Sequence, residues 1–160
     1  MNPVPTCDNW RYSESFSVVG GNFDDAGLVS GRIKMILKGL GLGSDIIRRV
    51  ALVTYESEIN MVSYATGGKI HLHLQPAYVT VEAIDEGPGI PDIRLAMQTG
   101  WSTANDKIRE MGFGAGMGLN NIRTFSDIFH ISSRLGDGTR LKMIIRTDRK
   151  EIQEPKEGLS

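Results

Sequence analysis

The stretch Ala83-Ile84-Asp85-Glu86-Gly87-Pro88-Gly89-Ile90-Pro91 decides how this chain reads. Upstream of it Tyr78, Val79, Val81 and Ile84 are strand formers, and the run stops at turn residues, so residues 77–84 are expected to form a strand. Asp85 then stands at the strand's end. Gly87 and Gly89 permit backbone angles closed to other residues and let another molecule approach the main chain, while Pro88 and Pro91 stiffen the loop. A carboxylate beside bare backbone suits a flat ligand carrying an amino group. The same residues, taken alone, also make an ordinary turn with a solvated acid.

Two other stretches bear on that choice. Glycine occupies every second position in Gly112-Phe113-Gly114-Ala115-Gly116-Met117-Gly118, and the run leads into a helical pattern at Leu119, Ile122 and Phe125. A glycine-rich loop feeding a helix start gathers free N–H groups at one place and favours bound phosphate. Upstream, Glu56 and Asn60 lie four positions apart in a helical segment and therefore share a face. Acid, amide and phosphate cradle together fit a nucleotide.

The order Glu56-x-x-x-Asn60, Asp85-x-Gly87-x-Gly89-Ile90, Gly114-x-Gly116-x-Gly118-Leu119 and Gly138-Thr139 resembles the ATP-binding boxes of the GHKL superfamily, which holds gyrase, the heat-shock protein Hsp90, histidine kinases and MutL. Within it the chain is most similar to bacterial partner-switching serine kinases and anti-sigma factors, over about Ser15 to Ile145. Asp85 to Met97 looks like the stressosome switch kinase. Where the anti-sigma subgroup commonly has histidine, four positions after the asparagine, this chain has Tyr64, which favours the switch-kinase side.

The resemblance implies the roles. Asp85 would bind the adenine amino group, with Gly87, Gly89 and Ile90 beside the base and sugar. Gly112, Gly114, Gly116, Met117, Gly118 and Leu119 would cradle the phosphates of ATP. Asn60 would hold Mg²⁺, a hard cation that needs few protein oxygens, and Glu56 would take the proton of the attacking hydroxyl. Thr139 would support Asp85. Glu58, two positions from Asn60, should point elsewhere. The implied protein partner is a STAS-domain antagonist; a sigma factor, a phosphatase and a second copy of the chain are the other candidates.

At 160 residues, 40% apolar and 23% charged, the chain has the balance of one globular domain, expected over residues 13–147 with a loose lead-in at 1–12 and a charged tail at 148–160. A formal net charge of -1 without a long Lys/Arg block argues against binding nucleic acid by general electrostatics. No run is long and apolar enough to span a membrane, and the N-terminus lacks a signal-peptide profile, so a cytoplasmic address is expected. Cys7 is the single cysteine and is read as a passenger of the lead-in.

Between the boxes, Ser15–Val19 should be a strand and Asp24–Leu40 a helix capped by Asp24 or Asp25. A long helix should start at a Ser44 cap. Lys69–Gln75 alternates as a strand with His71 and His73 on its wet face, better read as solvated than as a zinc site. Pro91–Met97 reads as a short helix, and Thr99–Met111 as a lid in which Lys107, Arg109, Ser102 and Thr103 stay undecided. Ile128–Arg134 and Arg140–Ile145 should pair through Gly136-Asp137-Gly138. Patterning therefore predicts a two-layer α/β sandwich, a mainly antiparallel sheet with helices on one face; its Bergerat topology follows from the resemblance alone. The function expected is a partner-switching serine/threonine kinase, with an anti-sigma factor as the alternative.

Overall fold

The computed structural model describes residues 12–98, 100, 101, 104, 106 and 116–147. The expectations for Cys7, the lid residues Ser102, Thr103, Lys107 and Arg109, the loop residues Gly112 and Gly114, and the tail lie outside that set. Five strands, β1 (Tyr12–Val19), β2 (Gly67–Leu74), β3 (Tyr78–Asp85), β4 (Ile128–Arg134) and β5 (Gly138–Arg146), form one sheet in the order β1-β2-β3-β5-β4. Every neighbouring pair is antiparallel. The order places β3 at the centre, so its last residue, Asp85, emerges from the middle of the sheet.

The period-two pattern divides the sheet into a dry and a wet face. Phe16, Val18, Ile70, Leu72, Leu74, Val79, Val81, Ala83, Leu141, Met143 and Ile145 are buried on one side. On the other, Ser15 Oγ meets His71 Nδ1 at 2.6 Å and Ser13 Oγ meets His73 Nδ1 at 2.8 Å. The two histidines thus lie where the alternation puts them, bonded to serines of β1.

The dry face is covered by α1 (Leu28–Gly39), α2 (Ser44–Tyr64) and α4 (Gly118–Phe125); a short α3 (Ile93–Ala96) follows the Asp85 loop. Ile33 and Leu37 of α1, Val50 and Val53 of α2, and Ile122 of α4 are wholly excluded from water. Each such side chain contributes roughly 1.5–3 kcal/mol of transfer free energy, which is why these helices stay on the sheet.

Two helix starts differ from expectation. Phe23–Asp25 is a 3-10 turn, and Gly27, at φ +96°, separates it from α1, which begins only at Leu28. Asp25 is occupied, accepting from Asn22 Nδ2 at 2.7 Å. The carboxylate that caps α1 comes from α2 instead: Glu58 Oε1 accepts from Val29 N at 3.1 Å and Oε2 from Ser30 N at 3.2 Å. An acid there satisfies two orphan donors and faces the positive end of the helix. Ser44 is likewise the first residue of α2 and not its cap; Gly43 takes that place without a side-chain bond. The short helix expected within 91–97 is present, and Asp92 caps it, its Oδ1 accepting from Leu95 N at 3.1 Å.

Candidate functional site

The hydrogen-bond ladder between β3 and β5 runs to the pair Ile84 and Arg140, and one residue further the Asp85 side chain takes over. Its Oδ1 accepts from Thr139 N and from Gly87 N, each at 3.0 Å. Both donors converge on one oxygen, so Oδ2 keeps its acceptor capacity among the described residues. Burial raises the Asp85 pKa above the ordinary carboxylate value, and the two backbone N–H groups only partly offset it. Gly138 makes this approach possible: at φ +114° its Cβ would fall 2.1 Å from the Asp85 carbonyl oxygen.

The loop after Asp85 is fastened to the β4–β5 turn. Gly136 N donates to Pro88 O at 3.0 Å, and Ile90 N to Ser133 Oγ at 2.7 Å. Ser133 Oγ also donates to Gly138 O at 3.1 Å and lies 2.8 Å from Thr139 Oγ1. One wall of the site is therefore held together by hydrogen bonds of a sheet and its turn.

The opposite wall is made of side chains from two helices. Glu56 and Asn60, one helical turn apart on α2, face the start of α4. A Cβ on Gly118 would sit 3.1 Å from Glu56 Oε2 and 3.5 Å from Asn60 Oδ1, so both polar groups lie directly against the helix N-terminus, and a larger residue there would press on the Glu56 carboxylate. Asn121, one turn into α4, donates from Nδ2 to Glu56 Oε1 at 3.2 Å and orients the carboxylate. At the far end of α4, buried Arg49 donates from Nε to Phe125 O at 3.1 Å and pairs with Asp127 Oδ2 at 3.2 Å.

Between the walls lies a cleft of about 740 Å³, a size that holds a small organic ligand. Glu56, Asn60, Asp85, Gly87, Gly89, Ile90, Gly116, Met117, Gly118, Leu119 and Thr139, the expected residues within the described set, all line it. Trp101 lines it too, beside Gly100, whose N donates to Gly116 O at 3.1 Å and ties the segment after α3 to the glycine run. Sequence reasoning did not single out Asn121 or Ser133. For Asn121 a signal existed, since a helix starting at Gly118 puts Gly118 and Asn121 on one face. For Ser133 the expected β4–β5 hairpin carried part of the signal, since it sets Ser133 opposite Thr139, but nothing local announced its bond to Ile90, 43 positions away.

The oxygen-rich donor set fits the groups the resemblance implied. Asn60 offers an uncharged oxygen at the cleft wall, suited to a hard cation that keeps most of its shell as water and phosphate. Glycine N–H groups at the start of α4 suit an anion.

Residues 45–149 match the family model described as histidine kinase-, DNA gyrase B-, and HSP90-like ATPase. The serine/threonine-protein kinase RsbT of Bacillus subtilis (strain 168) is 32% identical over 113 residues, which is 68% of this chain and 79% of that protein. The anti-sigma F factor of Thermoanaerobacter sp. (strain X514) is 33% identical over 103 residues, 62% of either chain. The sensor histidine kinase TmoS of Ectopseudomonas mendocina is 29% identical over 135 residues, only 14% of its length. With the family model matched from the second residue of α2 through the end of the sheet, the chain belongs to the histidine kinase-, DNA gyrase B- and HSP90-like ATPases, the GHKL superfamily.

Proposed function

We propose that this protein is an ATP-dependent serine/threonine protein kinase of the partner-switching type, acting on a hydroxyl of a STAS-domain protein. The observation that carries the reading is the meeting of Asp85, Asn60, Glu56 and the Gly118 helix start in one cleft. Similarity to a protein named as a serine/threonine kinase, over 79% of that protein's length, supports the reaction class.

ATP enters with its base toward the sheet wall, where Asp85 Oδ2 accepts from the 6-amino group. Its phosphates lie at the start of α4. Asn60 would hold Mg²⁺, which when bound would supply charge neutralisation at the phosphates. Glu56, its Oε1 held by Asn121, accepts the proton of the substrate hydroxyl on Oε2. The hydroxyl oxygen forms a bond to the γ-phosphorus as the bond to the β–γ bridging oxygen breaks, and ADP carries that electron pair away. The protein's part is positioning and electrostatics, so displaced groups cost nearly as much as missing ones.

The test is incubation of pure protein with labelled ATP, magnesium and each STAS protein of its own genome. Label should pass to a serine or threonine of one of them with the wild type and not with Glu56→Ala, which should still bind ATP. Equal labelling by both proteins removes Glu56 as the base; no label and no heat of nucleotide binding sinks the whole reading.

A second reading, a sigma-sequestering module that uses ATP as a conformational ligand, has its own support. The chain is 33% identical to an anti-sigma F factor, and α1 exposes Leu28 and Met35, 63% and 75% accessible, seven positions apart on one face. A sigma subunit bound by the wild type and lost with Met35→Glu would favour it.

A further inference from the structure

We infer that Ser133 sets the hydrogen-bonding polarity of the base pocket and so is a specificity-determining positioning residue for the purine. The inference rests on the nucleotide reading of the cleft. Ser133 touches no ligand in that reading; it acts through Thr139 and the Ile90 loop.

The argument is a count of protons. A serine hydroxyl has one hydrogen to give and two lone pairs to receive with. Ser133 Oγ has three partners: Ile90 N at 2.7 Å, Gly138 O at 3.1 Å and Thr139 Oγ1 at 2.8 Å. A carbonyl can only accept and an N–H can only donate. The Ser133 proton therefore goes to Gly138 O, one lone pair receives Ile90 N–H, and the other is left for the Thr139 hydroxyl. Thr139 must donate to Ser133, because the reverse would require a second serine proton.

Two consequences reach the cleft. The Thr139 hydroxyl has its hydrogen committed to the protein, so toward the cleft it offers lone pairs only. Asp85, whose Oδ1 already receives Thr139 N and Gly87 N, offers acceptor oxygen as well. The two side chains that define the base end, Asp85 and Thr139, thus both turn acceptors toward the cleft, which suits a 6-amino group and opposes a 6-oxo group. A site whose polar groups meet a ligand of the wrong sign discriminates far more strongly than one that only measures shape. Ser133 at the same time anchors the Ile90 backbone, and the separate bond from Gly136 N to Pro88 O keeps the loop attached when the serine is altered.

The experiment measures calorimetric affinities for ATP and for inosine triphosphate, which carries a 6-oxo group and no amino group, in wild type, Ser133→Ala and Ser133→Thr. Thermal melting checks that each is folded. Wild type should prefer ATP. In Ser133→Ala the Thr139 hydroxyl is free to turn and donate to a 6-oxo group, so ATP should bind about tenfold more weakly and the preference should shrink by a similar factor. Ser133→Thr keeps a hydroxyl and should restore both. An unchanged ATP to inosine triphosphate ratio in folded Ser133→Ala overturns the inference while leaving the kinase reading intact. Wild type that binds neither nucleotide overturns both. If Ser133→Ala does not fold, Ser133→Thr decides: a preference lost with the hydroxyl present refutes the assignment.

Discussion

The two ends of the cleft are built by different means. At the end where the proposed reading puts the base, the groups are fixed by backbone: Asp85 is gripped by two N–H groups, and the loop after it is bonded to the β4–β5 turn. At the other end Glu56 and Asn60 stand on α2, the glycine helix start stands on α4, and the side-chain bond from Asn121 to Glu56 joins the two helices beside the mouth. A sheet holds its geometry through many short ladders, whereas two helices hold theirs through side-chain packing that can slide. The base end is thus suited to constant affinity and the phosphate end to adjustable chemistry. Exposed Met117, at the entrance to α4, sits on the adjustable side.

The comparison is sharpened most by changes that separate chemistry from affinity. Glu56→Gln keeps the shape and the bond from Asn121 but removes the base, so phosphotransfer should fall by roughly 10³-fold in single-turnover assays while the ATP dissociation constant stays within about threefold. Asp85→Asn should do the converse. Loss of the charged acceptor should weaken ATP binding by about 10²-fold in calorimetry and leave turnover at saturating ATP close to wild type. A loss of both properties in either variant would mean that the ends are not separable.

The Asp85 pKa adds a pH signature. Because burial raises it in the folded state, the stability Asp85 contributes is fully present below its unfolded value and is lost as pH rises through the folded value. Binding runs the other way, since only the ionised form presents Oδ2 as a full acceptor. ATP affinity should therefore fall on acidification at a pH above the ordinary carboxylate range, and ligand-free Asp85→Asn should melt no lower than wild type at neutral pH. A dissociation constant that stays flat through the acidic range would remove Asp85 from base recognition. Next in size, Asn121→Ala frees the Glu56 carboxylate and should slow phosphotransfer roughly tenfold with ATP affinity unchanged.

How much of this could be read from the chain alone divides along the same line. Asp85 at a strand end, the glycines after it, and Glu56 with Asn60 on one helix face are local patterns, and period and turn chemistry report local geometry well. The sheet's two faces were legible for the same reason, as Ile70, Leu72 and Leu74 alternate with His71 and His73 along β2. What escaped was partnership at a distance. The cap of α1 was sought in the adjacent Asp24 and Asp25, but Gly27 breaks the chain direction there and the cap arrives from Glu58, about thirty residues away. Ser133 and Asn121 acquire meaning only when β4 lies beside β5 and α4 beside α2. Local propensity carries no information about which distant carboxylate or hydroxyl will be delivered to an orphan N–H.

Glu58 supplies the smallest and most discriminating test, because it lies in sequence between Glu56 and Asn60 yet faces the other side of α2. It is 2% exposed, and each of its oxygens takes one N–H of the first turn of α1. Glu58→Gln retains one acceptor and the volume, but it puts an amide N–H against a backbone donor and removes the charge that complements the helix end. The expected cost is about 1–2 kcal/mol of stability, read as a lower midpoint in urea with unchanged slope. If α1 only scaffolds α2, ATP affinity and phosphotransfer in the folded variant should stay within about threefold of wild type, since neither wall of the cleft contains Glu58. A large loss of phosphotransfer with ATP affinity intact would show instead that the register of α2 is set from α1. The adjustable end of the cleft would then extend to the helix that exposes Leu28 and Met35, and a partner bound there could act on the chemistry through a single buried carboxylate.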